Sequence, residues 1–153
     1  MPSDKIVRVS AFVLALFFAV VVILGYIPGL NAAHVHHPGA MPMEAGEHML
    51  FGRYTISLLD DVTHGLSAIL FLIASLVSAR MSRLALTAFG WYYAYDATIY
   101  LITGVLQGSP LGANLALNLP HVVISSVMLW LAYRGRTNVP KIDASMTAPR
   151  RVA

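Results

Sequence analysis

The chain has no cysteine, which removes disulfides, thiolate metal sites and cysteine-ligated iron–sulfur clusters from consideration. Charge is scarce as well: charged residues make up 11% of the sequence, against roughly 25% in a soluble domain. Also missing are a phosphate-binding glycine loop, a nucleophile beside a base, and the His-Glu-x-x-His helix of metalloproteases. No enzyme class is therefore supported. Whether the protein is an enzyme stays open, and the reading leans away from it.

What the sequence does contain is apolar surface. Hydrophobic residues reach 58% and the mean hydropathy is +0.70, the composition of a membrane protein whose first partner is the lipid bilayer. The formal charge of +3 and a pI near 9.5 would suit nucleic acid. However, the lysines and arginines fall at the ends of apolar runs and in the tail, where they set orientation and form no binding face.

Residues 9–27 are nearly all apolar, and about 19 residues at a 1.5 Å rise cover a hydrocarbon core of about 30 Å. The alternative, a cleaved signal peptide, fits poorly because such apolar regions run to roughly 7–15 residues. Further spans are expected at 55–79, 84–106 and 114–133, with a polar loop at 31–54 and a polar, disordered tail at 137–153. Lys5, Arg8, Arg80, Arg83, Arg134, Arg136 and Lys141 share one side of this pattern, and Arg53 stands alone on the other. The positive-inside rule then predicts an all-α, up-down-up-down four-helix bundle in the bacterial inner membrane with both termini cytoplasmic. The 31–54 loop faces outward. Pro120 lies inside the fourth span, so that helix must begin well before it and a kink is expected near His121.

Ionisable groups inside a membrane are costly and must face protein, water or a ligand. Asp60, Asp61 and His64 share the second span, Asp96 the third, and Asn114, Asn118 and His121 one face of the fourth. Counting from the outer helix ends places His64 and His121 each about 12 Å deep, with Asp61, Asn118 and Asp96 within a few Å of that level. One carboxylate of the second span should lie beside the His64 ring, since residues three and four apart are neighbours on a helix. Tyr92 and Tyr100 flank Asp96 four residues either side, so either hydroxyl is a candidate donor to it.

His64 and His121 with Asp61 or Asp96, supported by Asn118, Asn114 and Asp60, make a candidate site for a transition metal: copper, zinc or iron. A b-type haem between the two histidines and a proton relay through the acids are alternatives. A network that merely fixes helix register is another. The outer loop adds His34, His36, His37, His48, Met41, Met43 and Met49, plausible copper ligands by type. Its bland alternative is a short amphipathic helix over 43–51 resting on the membrane.

Three segments carry a family resemblance. Leu50-Phe51-Gly52 leads to Asp60-Asp61-Val62-Thr63-His64, Asn114-Leu115-Ala116-Leu117-Asn118-Leu119-Pro120-His121 opens the fourth span, and Gly25-Tyr26-Ile27-Pro28-Gly29 closes the first. Together they resemble a family of uncharacterised four-helix membrane proteins, a domain of unknown function common in actinobacteria. That family has His where Asp60 stands and Asp where Leu117 stands. The resemblance implies the four-helix fold and points to His64, Asn114, Asn118 and His121, with no activity attached. The function expected is metal-ion binding in the outer half of the bundle. The alternative is an accessory subunit of a larger membrane assembly, with a membrane-protein partner or a second copy of the chain.

Overall fold

The computed structural model describes residues 4–27, 30, 48–51 and 54–134. They form four helices, α1 (Asp4–Gly25), α2 (Leu58–Val77), α3 (Ala79–Leu106) and α4 (Leu111–Tyr133). A small antiparallel hairpin, β1 (His48–Leu50) and β2 (Tyr54–Ile56), sits between α1 and α2. Four helices were expected, and α1, α2 and α4 are each long and apolar enough to cross a membrane. α3 is the longest, at 28 residues, but Asp96 and its run of tyrosines and threonines dilute its apolar character.

The boundaries differ from the sequence pattern for local reasons. α2 begins at Leu58 because Tyr54–Ile56 pairs with His48–Leu50 and Ser57 then caps the helix. The Ser57 hydroxyl accepts from the Asp60 amide at 3.2 Å, while the Asp60 carboxylate accepts from the Ser57 amide at 2.9 Å. This reciprocal capping box satisfies two otherwise unpaired donors. The hairpin also replaces the C-terminal part of the amphipathic helix expected over 43–51, since Tyr54, Thr55 and Ile56 are the aromatic and β-branched types that favour a strand. The rest of that segment lies outside the described residues.

α3 starts five residues earlier than expected. Ser78 alone separates it from α2, and its hydroxyl accepts from the Met81 amide at 3.2 Å, so Arg80 and Arg83 lie in helix and not in a turn. At its other end Gly108, with φ of 81°, lets the chain reverse into α4, a left-handed conformation that only glycine takes without strain. α4 begins at Leu111 and continues through Pro120.

Packing is closest between α3 and α4 and between α1 and α2, while α2 and α4 barely touch. Val7, Ala11, Leu14, Ala15 and Phe18 form the buried stripe of α1, meeting Ala68 and Phe71 of α2, Leu86 and Tyr93 of α3, and Met128, Leu131 and Ala132 of α4. On α3 the small residues Gly90, Ala97 and Gly104 recur every seven positions. A methyl group on Gly90 would press on Leu129, and one on Gly104 would collide with the Asn114 amide. Their smallness is what lets α4 approach, as expected where close backbone contact holds membrane helices together.

The outside of the molecule is apolar. Phe12, Val13, Leu16, Phe17, Val20 and Ile23 of α1 all point outward, an arrangement that suits lipid. The charged ends behave differently. Arg8 donates through Nε to the Ser75 carbonyl at 2.8 Å and through Nη2 to the Leu76 carbonyl at 3.1 Å, capping the last turn of α2 with a cation. Arg83 reaches Asp4 at 3.4 Å.

Candidate functional site

Three helices and the end of α1 build a polar cluster toward the end of the bundle remote from Arg8. α2 contributes His64, buried with 9% of its surface exposed. Its ring lies flat against Phe18 of α1 (centroids 5.7 Å apart, planes at 22°) and near-parallel to Tyr93 of α3 at 6.2 Å. Tyr93 in turn stacks on Phe18 at 5.2 Å and is anchored through its hydroxyl, 3.1 Å from the Ser67 hydroxyl. Ser67 gives its one proton to the Thr63 carbonyl at 2.7 Å, so Tyr93 is the donor in that pair.

α4 brings His121 to the same place. Its ring centre is 6.5 Å from that of His64 and 5.6 Å from that of Tyr93. On its other side His121 Nδ1 stands 3.2 Å from Asp96 Oδ2. A carboxylate on the Nδ1 side of the ring is a neighbour that many metal-bound imidazoles have. His64 Nδ1, by contrast, is buried and has no hydrogen-bond partner. Leaving such a nitrogen unpaired costs about 1–3 kcal/mol.

The other polar groups expected here are engaged elsewhere. Asp61 does not turn to His64: the Tyr26 hydroxyl, just beyond α1, donates to its Oδ2 at 2.7 Å. Asp60 belongs to the Ser57 cap, and its Oδ2 also accepts the Ser57 hydroxyl at 2.8 Å. Asn118 donates to the side chain and backbone oxygens of Asn114 at 2.9 and 3.0 Å, and Asn114 donates to the Leu101 carbonyl at 2.8 Å. This amide ladder ties α4 to α3, and both of its side chains are buried. Asp96 has His121 as its partner, in place of Tyr92 or Tyr100. Among the described residues no group of three or more His, Asp or Glu side chains is gathered as metal ligands.

Of the loop residues, His34, His36, His37, Met41 and Met43 lie outside the described residues, as does the side chain of His48. Met49 is described, and its sulfur accepts from the Thr55 hydroxyl at 3.4 Å, a contact across the hairpin and away from the cluster. Two aromatic walls were missed in the sequence. Tyr93 lies three residues before Asp96, on its face of α3, which was a usable signal. Phe18 continues the stripe of Val7, Ala11 and Leu14, but nothing in that stripe says it meets a histidine.

The family described as a domain of unknown function, DUF4383, matches residues 8–134. The chain belongs to that family, whose description assigns no activity. No curated protein and no solved structure matches it.

Proposed function

We propose that this is a multi-pass protein of the bacterial cell membrane, with an up-down-up-down bundle and both termini cytoplasmic, that binds a metal ion between His64 and His121. The orientation is supported by charge: the described basic residues Lys5, Arg8, Arg80, Arg83 and Arg134 are at helix ends on one side of the pattern, while Asp60, Asp61 and Asp96 belong to the other half. An outer half rich in carboxylates and without a described cation attracts a cation. In this orientation the His- and Met-rich loop faces the exterior, where His34, His36, His37, His48, Met41, Met43 and Met49 are a proposed copper-collecting set by composition alone.

The observation that carries the reading is the unpartnered Nδ1 of His64, buried at the centre of a bundle whose other imidazole lies one ring away. An ion at that position would satisfy it, and Asp96 would orient the second ligand. Elemental analysis of detergent-purified protein tests this. Stoichiometric metal lost in the His64→Ala, His121→Ala double variant is expected; metal unchanged in that variant, or none in the wild type, rejects the reading. A visible spectrum of the same preparation checks the haem alternative, which requires a Soret band.

A second reading, an accessory subunit of a membrane assembly whose polar groups only lock the helices, draws on a different observation. The Asn114–Asn118 ladder and the Asp60 cap are self-contained, as a purely structural network would be. Co-purification with another membrane protein at fixed ratio, from metal-free preparations, would favour it.

A further inference from the structure

We infer that the ion held at this site is monovalent copper, bound by the two imidazole nitrogens of His64 and His121 and by no other protein atom. The inference rests on the metal-binding reading above and narrows it to one ion.

The first argument is the ligand count. Structural zinc takes four protein ligands and catalytic zinc three, and octahedral ions need more. Every other candidate ligand in reach has a partner: Asp61 has Tyr26, Asp60 has Ser57, Asp96 has His121, and Asn118 has Asn114. No third His, Asp or Glu joins the pair among the described residues. Monovalent copper has a filled d shell, no ligand-field demand for a higher coordination number, and binds readily to two opposed nitrogens.

The second argument is the ring separation. An ion about 2 Å from a ring nitrogen is roughly 3.2 Å from the ring centre, so two rings opposed across one ion stand about 6.4 Å apart and two in a tetrahedral set about 5.2 Å. The observed 6.5 Å between ring centres, with the planes at 41°, is wide enough for an ion between opposed nitrogens and wider than a tetrahedral pair needs. The third is the setting. Phe18 and Tyr93 wall the His64 side of the site with aromatic rings, and His121 keeps about 30% of its side chain exposed. Removing an ion from water costs energy in proportion to the square of its charge, so the buried His64 side of the site disfavours a divalent ion more than a monovalent one.

The test is an anaerobic titration of the purified full chain with copper(I) against a chromophoric chelator, run in parallel with zinc(II), followed by X-ray absorption of the copper-loaded sample. The outer loop is a proposed copper-collecting set in its own right, so the readout is the difference between variants. The wild type is expected to hold one equivalent more copper(I) than the His64→Ala, His121→Ala variant, with nitrogen-only, two-coordinate absorption for that equivalent and no matching equivalent of zinc. His64→Met, a thioether that accepts copper(I) but not zinc, should retain the equivalent and keep a folded reference should the alanine pair unfold. Asp96→Asn should weaken binding by about 10-fold without changing the count. Zinc bound as tightly as copper, or an absorption spectrum with three or four neighbours, overturns this inference and leaves the metal-binding reading intact. No ion of either kind at the histidines overturns both.

Discussion

His121 Nδ1 on α4 lies 3.2 Å from Asp96 Oδ2 on α3, with about 30% of each side chain exposed. The pair links the two helices that pack most closely, at the level where α2 presents His64. Partial exposure limits its worth, so truncating one partner should cost about 1–3 kcal/mol. A double-mutant cycle with Asp96→Ala and His121→Ala, read by unfolding in detergent, should return a coupling of about 1 kcal/mol. A coupling near zero would mean that the contact orients nothing.

The seam between α3 and α4 depends on small residues. Gly104→Ala drives a methyl into the Asn114 amide and should destabilise the protein by about 1–3 kcal/mol, an overpacking cost. Gly65→Ala on α2 meets nothing within 4 Å and should be neutral or stabilising by up to about 1 kcal/mol, because alanine is the better helix former. Thermal unfolding of the two variants side by side checks the sign difference.

The cap of α2 is a third point. Ser57→Ala removes the acceptor for the Asp60 amide and should cost about 1 kcal/mol. Faster hydrogen exchange confined to the first turn of α2, beside the His64 site, is the expected signature; unchanged exchange there would show the cap to be dispensable.

Topology can be read directly because the chain has no cysteine. Ala40→Cys, in the loop, should react with an impermeant maleimide on intact cells, and Ala144→Cys, in the tail, only after permeabilisation. The reverse labelling would invert the orientation and place the His64 and His121 cluster in the inner half of the membrane.

Much of this was legible before any coordinates. Apolar length places α1, α2 and α4, and helical spacing puts Asn114, Asn118 and Ser125 on one face, all three of which are buried. The equal depth of His64 and His121 also follows from counting residues down two helices, though not that their rings approach each other. The hairpin at 48–56 did not follow, because three-residue strands are too short for a periodic signal. The partners of Asp61 and Asp96 did not follow either: spacing nominated His64 and the tyrosines, while packing supplied Tyr26 and His121.

The sequence by itself determined that the protein is a helical member of this family with helices long and apolar enough to cross a membrane, and that imidazoles and carboxylates fall at one level along them. Both are properties of one chain segment at a time, set by hydropathy, rise per residue and motif. Only the tertiary structure decided that His64 is left with an unpaired nitrogen between Phe18, Tyr93 and His121 while each nearby carboxylate already has a partner. The reason is physical: periodicity selects the face a side chain occupies, but which neighbour satisfies it depends on how the helices rotate and pack, and here Gly90, Gly104 and the stripe from Val7 to Phe18 set that arrangement.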